Sequence, residues 1–147
     1  MGYADSIRTT APTMEAVATL IENLFTSSGA LEWSTWTPTA STPASTMTLT
    51  GGTFAHARYT TIGKLGIYTF TYSATLGGAV ETAIRVTLPW TIVNQNLAAS
   101  VTINNSGLKA GIAQLDTTTR ILLYKYDGSV YTAAAGSVTV TGIVELP

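Results

Sequence analysis

The sequence predicts an all-β protein, a jelly-roll-like β-sandwich of about eight or nine strands with one short N-terminal amphipathic helix. Three observations carry that prediction. Residues 65–73 alternate with period two, placing Tyr68, Phe70 and Tyr72 on one side and Leu65, Ile67, Thr69, Thr71 and Ser73 on the other. The final segment, 137–146, alternates in the same way, with Val138, Val140, Gly142, Val144 and Leu146 expected inward against Thr139, Thr141, Ile143 and Glu145. Between these, short strand-like segments recur at regular spacing, separated by Gly, Asn and Asp.

The elements follow in order. Residues 1–12 form a polar arm carrying Tyr3 and Ile7, expected to dock on a partner. Over 13–26 the apolar set Met14, Val17, Ala18, Ile21, Leu24 and Phe25 recurs at helical spacing, with Pro12 suited to a first turn and Gly29 to a stop. A helix this short needs a surface to bury against. Met14, Val17, Ile21 and Leu24 fit the a and d positions of two heptads, so self-association and packing on the same subunit both remain open. Met14, Val17, Ile21, Leu24 and Phe25 are the candidate oligomerisation and docking residues. The arm and helix, 1–32, thus precede a β-domain over 33–147.

Trp33 and Trp36 flank an expected first strand, and the segment TASTPAST over 39–46 reads as a surface loop. A strand begins at 46–50, and Gly51-Gly52 is expected to turn the chain into the next, 54–61. Ile62-Gly63-Lys64 is the turn before the long strand 65–73. Gly77-Gly78 is expected to make a hairpin into Ile84, Val86 and Leu88, which Pro89 stops. Strands are then expected at 97–104, 109–115 and 120–126, with turns at Asn105-Ser106-Gly107 and Asp116–Thr119 and a hairpin signal at Asp127-Gly128. Tyr68, Phe70, Tyr72, Leu122 and Tyr124 are expected on outward faces, more apolar surface than a solvated sheet carries, which an oligomer interface would cover.

Composition bounds the function. The chain has 147 residues, 46% of them hydrophobic and only 10% charged, with a net charge of −1. Ordinary soluble domains carry roughly 25% charged residues, and disordered chains combine low hydrophobicity with high net charge. A neutral, hydroxyl-rich, folded surface is the expectation. Arg8, Arg58, Lys64, Arg85, Lys109, Arg120 and Lys125 are scattered singly, so no basic patch points to nucleic acid. No stretch reaches the ~20 apolar residues of a membrane helix, and the N-terminus lacks a basic and apolar leader pattern, so synthesis in a cytoplasm is expected. Without cysteine there is neither a disulfide framework nor a thiolate metal site.

No catalytic constellation is legible. His56 is the single histidine and sits mid-strand without a nucleophile motif, and the eight acidic residues are dispersed. Neither a phosphate loop nor a metal-ligand cluster is present, so no cofactor is expected. Trp36, Trp90 and Tyr131 are candidates for surface ligand contact, since such rings stack on sugars, although tryptophan and tyrosine in β-proteins serve more often as core or interface anchors.

The run ARYTTIGKLGIYTFTYSATLGGAVETAIRVTLPW, residues 57–90, resembles a β-domain recurrent in tail-fibre and other virion-surface proteins of tailed bacteriophages. The residues that carry the resemblance are the aromatic-x-x-Ile-Gly turn Tyr59–Gly63, the long strand, the Gly-rich hairpin and the stop at Leu88-Pro89. A weaker likeness extends to the C-terminus, and residues 1–32 are not covered. The resemblance implies a trimeric jelly roll without enzymatic activity: a virion structural protein, held to other virion proteins by its N-terminal arm. Within that reading, capsid decoration, head fibre and short tail appendage are the expected roles. A carbohydrate- or host-receptor-binding module, touching a host surface glycan, is the alternative from another class, and an enzyme is the third.

Overall fold

A computed structural model describes residues 32–92 and 97–147. The arm, the helix over 13–26 and its residues Met14, Val17, Ile21, Leu24 and Phe25 lie outside the described residues. Among the described residues the β-domain has nine strands: β1 (Ser34–Thr35), β2 (Ala40–Ser41), β3 (Met47–Ile62), β4 (Leu65–Gly78), β5 (Ala83–Thr87), β6 (Leu97–Asn104), β7 (Leu108–Thr117), β8 (Arg120–Lys125) and β9 (Ala135–Glu145). All join antiparallel in one sheet, in the order β1-β3-β4-β9-β6-β7-β8-β5-β2. The all-β class is as predicted. The two facing sheets of a jelly-roll sandwich are replaced by one continuous ladder that curls on itself.

Covalent geometry forces the curl. β1 and β2 are the two edges of the sheet, yet only residues 36–39 separate them in the chain. Five Cα steps reach at most ~18 Å, whereas eight inter-strand gaps of ~4.8 Å would hold the edges of a flat sheet ~38 Å apart. The sheet therefore bends until its edges meet, and β2 comes into contact with β3.

The inside of the curl is the core. Tyr68, Phe70 and Tyr72 of β4 are buried there with Val138, Val140 and Val144 of β9, and Val101 and Ile103 of β6 close the same layer. Ile121 and Leu123 of β8 and Ile84 and Val86 of β5 face them from the other side. The expectation that the β4 aromatic face points outward is thus corrected. Alternation separates two sets of side chains but does not say which is inside. Burial is worth roughly 1.5–3 kcal/mol for a Phe-sized side chain, so the aromatic set goes in. The outward set makes cross-strand hydroxyl pairs instead, Thr69 with Thr141 and Thr71 with Thr139, each with 3.1 Å between the Oγ1 atoms.

Three expected turns are present. Gly63-Lys64 closes the β3–β4 hairpin between Ile62 and Leu65, with Gly63 at φ 57°. Residues 105–107 join β6 to β7, and Thr118-Thr119 join β7 to β8. Three Gly-containing pairs behave otherwise. Gly51-Gly52 does not turn the chain but bulges β3, where the pairing jumps from Thr50↔Thr75 to Thr53↔Ser73. Gly77-Gly78 ends β4 still paired to β3, and the chain crosses to β5, which pairs with β8. Asp127-Gly128 makes a local turn, its carboxylate accepting from the Ser129 N–H at 3.0 Å, but β9 beyond it pairs with β4 and β6. A Gly pair supplies positive φ, and which strand receives the chain next is decided by long-range pairing.

Two side chains fasten the connections. Asn105, buried in the β6–β7 turn, accepts from the Thr132 N–H at 2.6 Å and donates to the Thr132 carbonyl at 3.0 Å, pinning the loop before β9. Glu81 accepts from the backbone N–H groups of Ala44, Thr46 and Met47 at 2.9–3.0 Å and from the Thr46 hydroxyl at 2.9 Å. Desolvation would raise its pKa, but these four donors outweigh it and hold the carboxyl at about 2, below the ordinary 4.5.

The Glu81 clip predicts a pH dependence. The depressed pKa contributes stability that is complete above pH 4.5 and disappears as pH falls through about 2. The stability gap between parent and Glu81→Gln should therefore be widest near neutrality and narrow from pH 4.5 downward, as read by urea denaturation at each pH. A gap independent of pH would contradict this role.

A second prediction concerns Gly142, which lies between Tyr68 and Ala99 on the inner face, where a Cβ would collide with the Tyr68 ring. Gly142→Ala should cost about 1–3 kcal/mol by overpacking, whereas Ser100→Ala on the outer face should stay within ~0.5 kcal/mol. Equal costs in denaturant titrations would contradict the inward assignment.

Candidate functional site

The edge-to-edge crossing and the bulged part of β3 border a cleft of about 570 Å3. Residues 36–40 form one wall, Leu49, Gly52, Phe54 and Ala57 of β3 line the floor, and Tyr72 of β4 reaches in beside them. β3 takes this shape because it is bulged twice. At the first bulge Gly51 adopts φ 64°, and at the second, where pairing jumps from Ala55↔Thr71 to Arg58↔Thr69, His56 adopts φ 55°. Both bulges set two β3 residues against one of β4, and they bracket Phe54. Gly52 has no Cβ because the Tyr72 hydroxyl occupies that space.

Aromatic rings run beneath the cleft in an unbroken series. Tyr72 lies 4.6 Å from Phe54, Phe54 5.7 Å from Phe70, Phe70 6.1 Å from Trp36, Trp36 6.1 Å from Tyr59, and Tyr59 5.1 Å from Trp90, all centroid to centroid. Most of these contacts are edge-to-face, the arrangement the ring quadrupoles favour. The crossing is held by backbone bonds at both ends: Trp36 N–H donates to the Ala57 carbonyl at 3.3 Å, and Thr87 N–H to the Thr39 carbonyl at 3.1 Å. Thr39 N–H donates to the Thr87 hydroxyl at 2.8 Å. The Trp36 indole Nε1 is shut off from solvent and finds no acceptor among the described residues.

Of the three residues expected at a ligand surface, the cleft takes only Trp36. Trp90 is half-buried beyond Tyr59, its ring covering Gly66. Tyr131 is fully buried, its hydroxyl donating to the Leu123 carbonyl at 3.0 Å, so it is closed to a surface ligand. The Lys125 ammonium lies 5.3 Å from the Tyr131 ring centre and donates to the Val130 carbonyl at 2.8 Å. Desolvation and the nearby Lys109 charge lower the Lys125 pKa, with Asp127 opposing them. Phe54, Tyr72, Thr37 and Thr39 were not legible as site residues, because the cleft arises from bulges and from a crossing between strands distant in the sheet.

His56 is exposed at its bulge, and no group of three His, Asp or Glu residues among those described could hold a metal. Asp116 is ion-paired to Arg85 at 2.6 Å and lies 3.4 Å from Arg120, and Asp127 pairs with Lys109.

A second surface lies on the outside of β7 and β8. Leu108, Ala110 and Ile112 of β7 share a face with Leu122 and Tyr124 of β8 and Tyr126 just beyond it, since Ile112 is opposite Tyr124 and Gln114 opposite Leu122. Leu108 and Tyr126 are each 74% exposed and Ile112 47%. The outward placement of Leu122 and Tyr124 is as expected, and Leu108, Ile112 and Tyr126 join them.

No known protein family matches the chain, and no curated protein or solved structure matches it.

The left-handed backbone at His56 yields a third prediction. That conformation costs a residue with a Cβ about 1–2 kcal/mol, while glycine's extra unfolded freedom costs about 0.5–1 kcal/mol. His56→Gly should be as stable as the parent or up to ~1 kcal/mol more stable. A loss above ~1 kcal/mol in a denaturant titration would mean that the imidazole holds the bulge by contacts of its own.

Proposed function

We propose that the chain is a non-enzymatic structural protein of a bacteriophage virion, displayed on the particle surface as a homotrimer. The roles it suits are capsid decoration, head fibre or short tail appendage, with other virion proteins held through residues 1–32. The single observation that carries the assembly is the exposed apolar strip of Leu108, Ile112, Leu122, Tyr124 and Tyr126 on the outside of β7–β8. Contiguous apolar surface of this kind on a neutral protein is covered in the working state. The resemblance of residues 57–90 to phage virion-surface domains supplies the context. A receptor-binding role for the same domain is favoured by one observation, the aromatic cleft at the seam.

In this reading the strip, not the β4 aromatics, meets the neighbouring copy. Burial of the strip provides the driving force at ~25 cal/mol per Å2, against the translational and rotational cost of association.

The proposal predicts that the full chain scatters light as three copies of 15.4 kDa. Ile112→Asp, which adds a carboxylate at a half-exposed position and so spares the isolated fold, should shift that mass to the monomer. A parent that is monomeric at every concentration contradicts the trimer. A trimer that survives Ile112→Asp but dissociates with Ile21→Asp places assembly on the N-terminal segment and removes the strip from it.

A further inference from the structure

We infer that the cleft at the seam is a binding site for an uncharged saccharide, seated between the 36–40 crossing and the bulged segment of β3. The volume of about 570 Å3 falls within the roughly 300–1,000 Å3 of small-ligand sites. None of the lining residues is charged. A ligand bearing a net charge would lose its hydration there without gaining a partner, which selects a neutral one.

The polar groups narrow the class further. Backbone groups of the crossing are already committed, Trp36 N–H to Ala57 and the Thr39 N–H and carbonyl to Thr87. A peptide, which binds chiefly through main-chain pairing, finds few free backbone partners on this wall. What the cleft offers is side-chain chemistry: the Thr37 and Tyr72 side chains with their hydroxyls, the Trp36 ring, and the flank of Phe54. A sugar ring has the matching character, with C–H groups that lie against an aromatic face and hydroxyls around its rim that both donate and accept.

One feature independent of the lining chemistry points to the same place. The cleft floor is shaped by the His56 bulge, where a residue with a Cβ holds a left-handed φ of 55°. Such outliers persist where surrounding structure over-determines them and cluster at binding sites. Saccharide binding is independent of trimer formation, because the cleft is built from the elements of one chain.

The test is an NMR titration of the full chain with chitotriose and maltotriose as neutral probes, sialyllactose as the charged probe and decaproline as the peptide probe. The inference expects one of the neutral trisaccharides to move the Trp36 indole N–H signal together with the amides of Thr37, Phe54 and Tyr72. The Trp33 and Trp90 indole signals should stay in place, and sialyllactose and decaproline should bind more weakly. Tyr72→Phe, which keeps the ring packing and removes one hydroxyl, should weaken that binding roughly 3- to 10-fold. The inference is overturned if neither neutral trisaccharide moves the Trp36 signal, if decaproline binds more tightly, or if Tyr72→Phe binds as the parent does. A monomeric protein that passes this test keeps the saccharide site while losing the trimer.

Discussion

Four residues, 36–39, connect the two edges of a nine-stranded sheet, and the rest of the domain follows from that short reach. Because the chain cannot stretch across a flat sheet, the sheet must curl, and curling turns one of its faces into an enclosed core. The aromatic and branched side chains of β4, β9, β6, β8 and β5 fill that space, and the hydroxyl-bearing set is left outside. The bulges in β3 bend the strand beside the crossing, and the remaining gap between crossing and strand is the cleft. Fold and candidate site therefore share one cause.

Much of the local structure was legible in the sequence. The alternation in β4 and β9, the turns at 63–64, 105–107 and 118–119, and the inward valines of β9 all depend on neighbours within a few residues. What was not legible is what depends on pairing partners. Gly51-Gly52 has the composition of a turn, but β3 continues through it because β4 offers partners on both sides. Gly77-Gly78 and Asp127-Gly128 look like hairpin loops, but the strands after them find their partners elsewhere in the sheet. Alternation likewise defined two faces of β4 without naming the inner one, and composition, three aromatics against Leu65, Ile67, Thr69, Thr71 and Ser73, was the signal that decides it.

The candidate site was less legible for the same reason. Of the rings that the sequence offers for ligand contact, Trp36 lines the cleft, yet Trp90 lies beyond Tyr59 and Tyr131 is sealed in the core. Aromatic identity alone cannot separate these three, since each environment is made by segments far apart in the chain. Phe54 and Tyr72 come together only because β3 pairs with β4, and Thr37 and Thr39 face them only because the sheet closes. On the exterior, threonine pairs cover the middle of β4 and β9, exposed Leu65 and Ile143 stand towards the end of the same face, and an apolar strip lies on β7 and β8.

Both edges of the sheet belong to one chain and are drawn together by the crossing. Cross-strand NOEs test it directly, measured with isotope mixing so that contacts within a chain are separated from contacts between chains. The account predicts intramolecular NOEs between Thr35 and Arg58 and, in the same molecule, between Ala40 and Val86. If the Ala40–Val86 contacts were absent, or arose only between chains, the crossing would not close the sheet and both the cleft and the enclosed core would need another explanation.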